Sequence, residues 1–99
     1  PKPLVSLELI TMAHSDYELV AVEIPCDVPE KGPRIRDLML PDGAVITLIT
    51  RGREIVLPRG NTRLQAWDEV SVLAHAPDVG LVRDALLTAF ERVEGRDDD

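Results

Sequence analysis

Leu40 to Pro77 reads LPDGAVITLITRGREIVLPRGNTRLQAWDEVSVLAHAP, and this stretch decides the fold. It holds three apolar runs, Ala44 to Thr50, Glu54 to Leu57 and Glu69 to Ala74, each rich in Val, Ile, Leu or Thr and bounded by turn residues. Arg51-Gly52-Arg53 joins the first two, and its glycine supplies the positive φ that a tight hairpin needs. Pro58-Arg59-Gly60-Asn61-Thr62, Leu64 and a polar corner at Asp68 separate the second run from the third. The pattern predicts a compact antiparallel three-strand meander that the rest of the chain covers or extends.

Ala44 to Thr50 is apolar at both phases of a strand. Val45 and Ile49 are expected to point one way, Ile46 and Leu48 the other. Both sheet faces are then expected to be covered, one by helices and the other by a second chain. Upstream, Leu4 to Ile10 alternates in part, with Val5, Leu7 and Leu9 opposite Ser6 and Glu8, as a strand with one wet face does. Tyr17 to Ile24 reads as another strand, and the two are expected to pair as a hairpin across Met12 to Asp16. Pro25 to Pro33, broken by prolines and Gly32, forces a loop.

Arg34 to Leu40 predicts a short helix with Ile35, Leu38 and Met39 on one face, ended by Pro41-Asp42-Gly43. A longer helix is expected from Pro77, where a proline in the first turn costs no hydrogen bond. Its core stripe is Val79, Val82, Leu86, Ala89 or Phe90, and Val93, while Leu81 and Leu87 fall off the stripe and mark a second contact surface. Gly95 caps it, and Arg96 to Asp99 reads as a solvated acidic tail. The expected architecture is one α+β domain over residues 1–95, with a small, mostly antiparallel sheet made of the meander and the N-terminal strands, packed with two helices.

Ninety-nine residues with 44% apolar side chains but one Trp, one Tyr and one Phe imply an aliphatic core. A net charge of −7 argues against nucleic acid and against an anionic membrane surface, because both demand clustered Lys and Arg. No apolar run approaches the roughly 18 residues of a spanning helix, and no signal-peptide pattern is present. A soluble chain is expected, without direct membrane insertion. A start at Pro1 rather than methionine is expected of a chain processed or cut from a longer product. The single Cys26 fits a reducing cytosol.

Few residues point to chemistry. His14 and Asp16 fall short of a zinc ligand set, and His75 and Cys26 lie far off in sequence, so a polar turn and no metal are expected. Cys26 borders an acidic, proline-rich loop, a poor setting for a nucleophile. A small hydrolase would need convergent polar groups, and His14, Cys26 and Asp68 are not expected to meet. Arg51, Arg53, Arg59 and Arg63 occupy the two turns at opposite ends of the second run. They read as solvated turn charges in separate spots, with an anionic small ligand at one spot as the alternative. Trp67 reads as a lid over the end of the core.

The order of motifs carries a resemblance. Val22-Glu23-Ile24-Pro25, a Pro/Gly loop, Ile35-Arg36-Asp37-Leu38, Leu40-Pro41-Asp42-Gly43-Ala44, Arg51-Gly52-Arg53-Glu54, Leu57 to Thr62, and Leu64 with Asp68, Val70, Val72 and Leu73 resemble the RCK C-terminal domain, or TrkA-C domain, over about Tyr17 to Leu87. Pro3 to Thr11 resembles the lead-in found in cation/proton antiporters of the cell-volume-regulation type. Two positions depart from the pattern: Trp67 stands where the family usually has glycine, and Gly32-Pro33 stands where Gly-Lys is common. The resemblance implies a homodimeric, non-catalytic cytosolic domain that senses a small molecule and controls a bacterial potassium or sodium/proton antiporter or a potassium transport system. Some members bind cyclic di-AMP in the dimer cleft. Carried over, that cleft is Val45, Ile46, Leu57 and Pro58, with Arg51 for a phosphate; Ile49, Leu81 and Leu87 are the interface residues expected here. The rival expectation is a ligand-free dimerisation module.

Overall fold

The computed structural model describes residues 16–94. The lead-in strand over Leu4 to Ile10, its hairpin pairing and the acidic tail lie outside the described residues. Four strands, β1 (Tyr17–Glu23), β2 (Val45–Arg51), β3 (Glu54–Val56) and β4 (Glu69–His75), precede one helix, α1 (Val79–Glu94). The class is α+β.

All four strands form one antiparallel sheet in the order β1-β4-β2-β3. This corrects the meander, because β4 pairs with β1 and β2 rather than with β3. Length and phase explain the choice. β3 has three residues, and Pro58 just beyond it has no N–H with which to extend a ladder. β2 and β4 each run seven residues with apolar side chains at both phases, which suits central positions. β3 is left as a short edge. The β2–β3 turn has Gly52 at φ +62° followed by Arg53 at negative φ, the type II′ arrangement that matches strand twist.

Directly opposed residues share a face of the sheet. Val22, Val70, Ile49 and Val56 form one row across all four strands, and Val20, Val72 and Ile46 form the next. These rows lie under α1, whose Val82, Leu86, Ala89 and Phe90 are buried against them together with Ile24, Leu64 and Ala74. The stripe is the one the 3.6-residue period predicts. Each aliphatic side chain fully removed from water contributes about 1.5–3 kcal/mol, so the core needs little aromatic bulk.

Strict alternation along β2 fails at Thr47. Ile46 faces Val72 and Leu48 faces Ser71, so one residue is extra between them, and the Thr47 hydroxyl donates to the Ser71 carbonyl at 3.1 Å. The bulge resets the phase. Val45 and Leu48 therefore share the outer face, while Ile46 and Ile49 share the core face, which corrects the expected grouping of Val45 with Ile49.

The helix expected over Arg34 to Leu40 is a single 3-10 turn, Ile35–Asp37, so the chain has one α-helix where two were expected. Its backbone groups are committed elsewhere. The Ile35 and Arg36 N–H groups donate to the carbonyls of Thr62 (2.9 Å) and Gly60 (3.1 Å), and the Leu64 N–H donates to the Pro33 carbonyl (3.0 Å). Pro41 also disfavours helical φ/ψ at Leu40. At the other helix, Pro77 lies in a 3-10 turn, Ala76–Asp78, that leads into α1 at Val79.

Candidate functional site

The face of the sheet away from α1 is apolar over its middle rows and acidic at one end of β1 and β4. Leu19, Leu73 and Val45 are opposed in one row over β1, β4 and β2, followed by Ala21, Ser71 and Leu48, and then by a row of Glu23, Glu69, Thr50 and Ile55 across all four strands. Val45 is 55% exposed and Ile55 64%; Leu19 is exposed too, and Leu48 and Leu73 are half-buried. A contiguous apolar sheet face in water is the signature of an interaction surface.

At one end of this sheet stands a rigid corner. Arg51, the last residue of β2, donates from Nε to Asp68 Oδ1 and from Nη2 to Asp68 Oδ2, both at 2.9 Å. Nη2 also reaches the Arg63 carbonyl at 2.8 Å, and the Gln65 N–H donates to Asp68 Oδ2 at 2.8 Å. Asp68 is fully buried and the Arg51 side chain 29% exposed. The hydrogen bond to Asp68 raises the Arg51 pKa above its ordinary value, outweighing the opposing effect of burial.

Gln65 to Asp68 close a turn, with the Asp68 N–H on the Gln65 carbonyl at 3.1 Å. Its third residue, Trp67, has φ +71° while Ala66 keeps negative φ, the type II signature. Trp67 is 66% exposed, so it is not the lid over the core that the sequence suggests. The turn needs the backbone there, not the ring.

The candidate residues separate. Val45 and Leu57 are exposed, Pro58 is half-buried, and Ile46 turns to the core side. Arg51 lies at the other end of β2 from Val45, roughly 20 Å away at the usual strand rise. Ile49 is completely buried in the chain's own core and has no surface to offer a partner. Leu81 is exposed beside a groove of about 300 Å³ bordered by Met39, Leu40 and Pro41, and Leu87 is half-buried. Of the basic residues, Arg51 reaches only the backbone carbonyl of Arg63, whose own guanidinium donates to the Gly32 carbonyl. His75 pairs with Asp16 at 3.3 Å, and its ring meets the edge of Tyr17. Among the described residues no helix is long and apolar enough to cross a membrane.

The model of the TrkA-C domain family matches residues 19–87. The chain belongs to this family. A relative, the Trk system potassium uptake protein TrkA homolog of Archaeoglobus fulgidus, is 31% identical over 78 residues, which is 79% of this chain and 18% of that protein. The chain thus spans less than a fifth of that relative's length. A solved structure described as "Structure of RCK domain with cda" superposes with a TM-score of 0.58 at 19% identity, covering 69% of this chain and 96% of that one, and so shares the fold. The glycine that TrkA-C domains usually carry before the corner aspartate fits the positive φ that Trp67 adopts here.

Leu48 was read from sequence as facing one covered side of the sheet, whereas Leu19, Leu73 and Ile55 on the outer face were not among the candidate interface residues. Leu73 carried a signal: it is the apolar residue out of phase with Val70, Val72 and Ala74 in β4.

Proposed function

We propose that this TrkA-C domain is a non-catalytic, ligand-sensing regulatory domain on the cytosolic side of a bacterial potassium or sodium/proton antiporter, or of a potassium transport system, and that it works as a homodimer. The observation that carries the reading is the outer-face row Leu19, Leu73 and Val45, continued by Leu48 and Ile55, in which Leu19, Val45 and Ile55 are exposed. A second copy is the self-complementary cover for such a surface, each copy presenting the same row to the other. The name of the potassium-uptake relative supports the transport setting.

Regulation then follows as a population shift: a ligand that binds one arrangement of the pair better than another biases the attached transporter by that difference in affinity, and by no more. Cyclic di-AMP, or another small anionic nucleotide, is the proposed ligand, in keeping with the RCK neighbour described as solved with cda. Leu57 and Pro58 supply apolar contacts, while Val45, at the far end of β2 from Arg51, belongs to the row that meets the second copy. Arg51 spends Nε and Nη2 on Asp68 and Arg63, leaving Nη1 for a phosphate.

A second reading, a dimerisation module without ligand, draws support from that same commitment of Arg51 to a structural ion pair. Melting separates the two. At about a hundred times its Kd a ligand adds roughly 2.7 kcal/mol of stability, whereas a pure assembly module responds only to its own concentration. A melting temperature that ignores cyclic di-AMP and rises with chain concentration favours the module; one that ignores both sinks both readings.

A further inference from the structure

The segment 31–37 runs antiparallel to 59–64, bound by the Pro33–Leu64, Ile35–Thr62 and Arg36–Gly60 backbone hydrogen bonds, with Arg34 directly opposite Arg63. This ribbon gathers Lys31, Arg34, Arg36, Arg59 and Arg63 against Asp37, with Glu30 just before it. In a chain of net charge −7 such clustering runs against composition. Opposed residues of an antiparallel pair hold their Cβ atoms about 5 Å apart, and like charges there destabilise.

Nothing in the ribbon offsets that repulsion. Arg63 Nη1 donates to the Gly32 carbonyl at 2.7 Å, which fixes the side chain without neutralising it. Among the described residues no carboxylate is paired with Arg34, Arg36, Arg59 or Arg63, although the same chain closes Arg51 on Asp68. The backbone underneath is firmly built. The Arg59 N–H donates to the Thr62 hydroxyl at 3.1 Å, the Thr62 N–H returns to the Arg59 carbonyl at 3.0 Å, and Gly60 lies against the Arg36 Cβ. Arg36 and Arg59 are exposed above it.

We propose that Arg34, Arg36, Arg59 and Arg63 form an anion site for phosphate groups, separate from the apolar outer face. A guanidinium offers a planar fork that matches phosphate oxygens and stays charged at any neutral pH. A phosphate monoester carries between one and two negative charges on three acceptor oxygens, so one group bridges the Arg34–Arg63 pair; a carboxylate carries a single charge. Four forks on one ribbon suit an occupant with two or more phosphates. Soluble oligophosphates and the headgroups of an anionic lipid both present that chemistry.

The test titrates the 99-residue chain with inorganic pyrophosphate by calorimetry, and sediments it with vesicles of phosphatidic acid and phosphatidylcholine in equal parts, against phosphatidylcholine alone. The same measurements are made on Arg59→Gln, on Arg36→Gln/Arg59→Gln and on Arg83→Gln, an exposed arginine of α1, with melting to verify folding. Binding is expected to weaken roughly tenfold in the double variant, less in Arg59→Gln, and not at all in Arg83→Gln, which removes a charge outside the ribbon. Pyrophosphate binding with that pattern supports a soluble phosphate ligand, and vesicle binding alone with that pattern supports a lipid headgroup. Absence of both, unchanged binding by the double variant, or equally tight binding of a polyglutamate peptide overturns the proposal.

Discussion

Arg51 grips Asp68 with two parallel hydrogen bonds of 2.9 Å, and this pair ties the last residue of β2 to the residue just before β4. The Asp68 backbone joins the same corner to β1's exit, since the Ile24 N–H donates to the Asp68 carbonyl at 2.8 Å. Three chain segments distant in sequence thereby meet at Asp68, β2 through its carboxylate and the exit of β1 through its backbone carbonyl. The carboxylate accepts three hydrogen bonds, and among the described residues no buried side-chain oxygen or nitrogen lacks a partner.

Removing one member of a buried pair strands the other, at about 3–5 kcal/mol. Arg51→Met is therefore expected to destabilise the chain more than any single surface change, because it leaves Asp68 charged and desolvated. Asp68→Ala should cost less, because the Arg51 guanidinium it leaves behind still reaches water. Urea denaturation measures both, and a loss below about 1 kcal/mol in either would remove the corner from the account. A pKa raised in the folded state means a contribution that is complete below the unfolded pKa and is lost only as pH rises through the folded one. For a guanidinium that window lies beyond the alkaline limit of ordinary assays, so the Arg51 penalty should not vary between neutral and mildly alkaline pH.

Trp67 holds a left-handed backbone that costs a non-glycine residue roughly 1–2 kcal/mol, and its ring is mostly in water. Glycine at this position removes that strain but adds about 0.5–1 kcal/mol of unfolded-state entropy. Trp67→Gly is expected to stabilise by about 0.5–1 kcal/mol net, a rise of several degrees in Tm for a domain of this size. A fall in Tm would mean that the ring packs on something beyond the described residues.

How much of this was legible follows from whether the deciding contact was local. The α1 stripe of Val82, Leu86, Ala89 and Phe90 was readable because helix periodicity is written in consecutive residues. So was the Gly52 turn. The place of β4 between β1 and β2 was not, since adjacency of strands is a non-local choice made by length and two-sided burial. Thr47 is an unremarkable strand residue, and nothing in its identity announces a bulge. Arg34 to Leu40 has helical spacing, yet its N–H groups are captured by Gly60 and Thr62, partners that no window around Arg34 contains. The Arg34–Arg63 juxtaposition was hidden for the same reason. Trp67 was read as a lid because its size was weighed and its backbone was not; its left-handed φ shows only in the structure.

Gly32 tests the ribbon itself. A Cβ there would sit 1.9 Å from the Leu64 carbonyl oxygen and 2.9 Å from the Phe90 ring, and the first of these is backbone. Neither neighbour can yield without opening the Pro33–Leu64 hydrogen bond or the core. Gly32→Ala is expected to destabilise by about 3 kcal/mol or more, the upper range for overpacking. Amide exchange should report it first at Leu64. Wild-type stability in this variant would show that the two segments are not closely apposed.

The outer face makes the sharpest separation between stability and assembly. Val45 is more than half exposed, so a charge there costs the isolated chain little, within about 0.5 kcal/mol for an ordinary surface site. If two copies meet across the Leu19, Leu73 and Val45 row, the same charge is desolvated against its own image near the symmetry axis, and repulsion adds to the lost apolar contact. Val45→Glu is therefore expected to shift sedimentation from dimer to monomer while the urea midpoint of the dilute chain stays put. Leu81→Glu, on the opposite side of the sheet, should leave the dimer intact. Were Leu81→Glu to dissociate it and Val45→Glu not, the contact would belong to the groove between α1 and Met39, and the open sheet face would need another occupant.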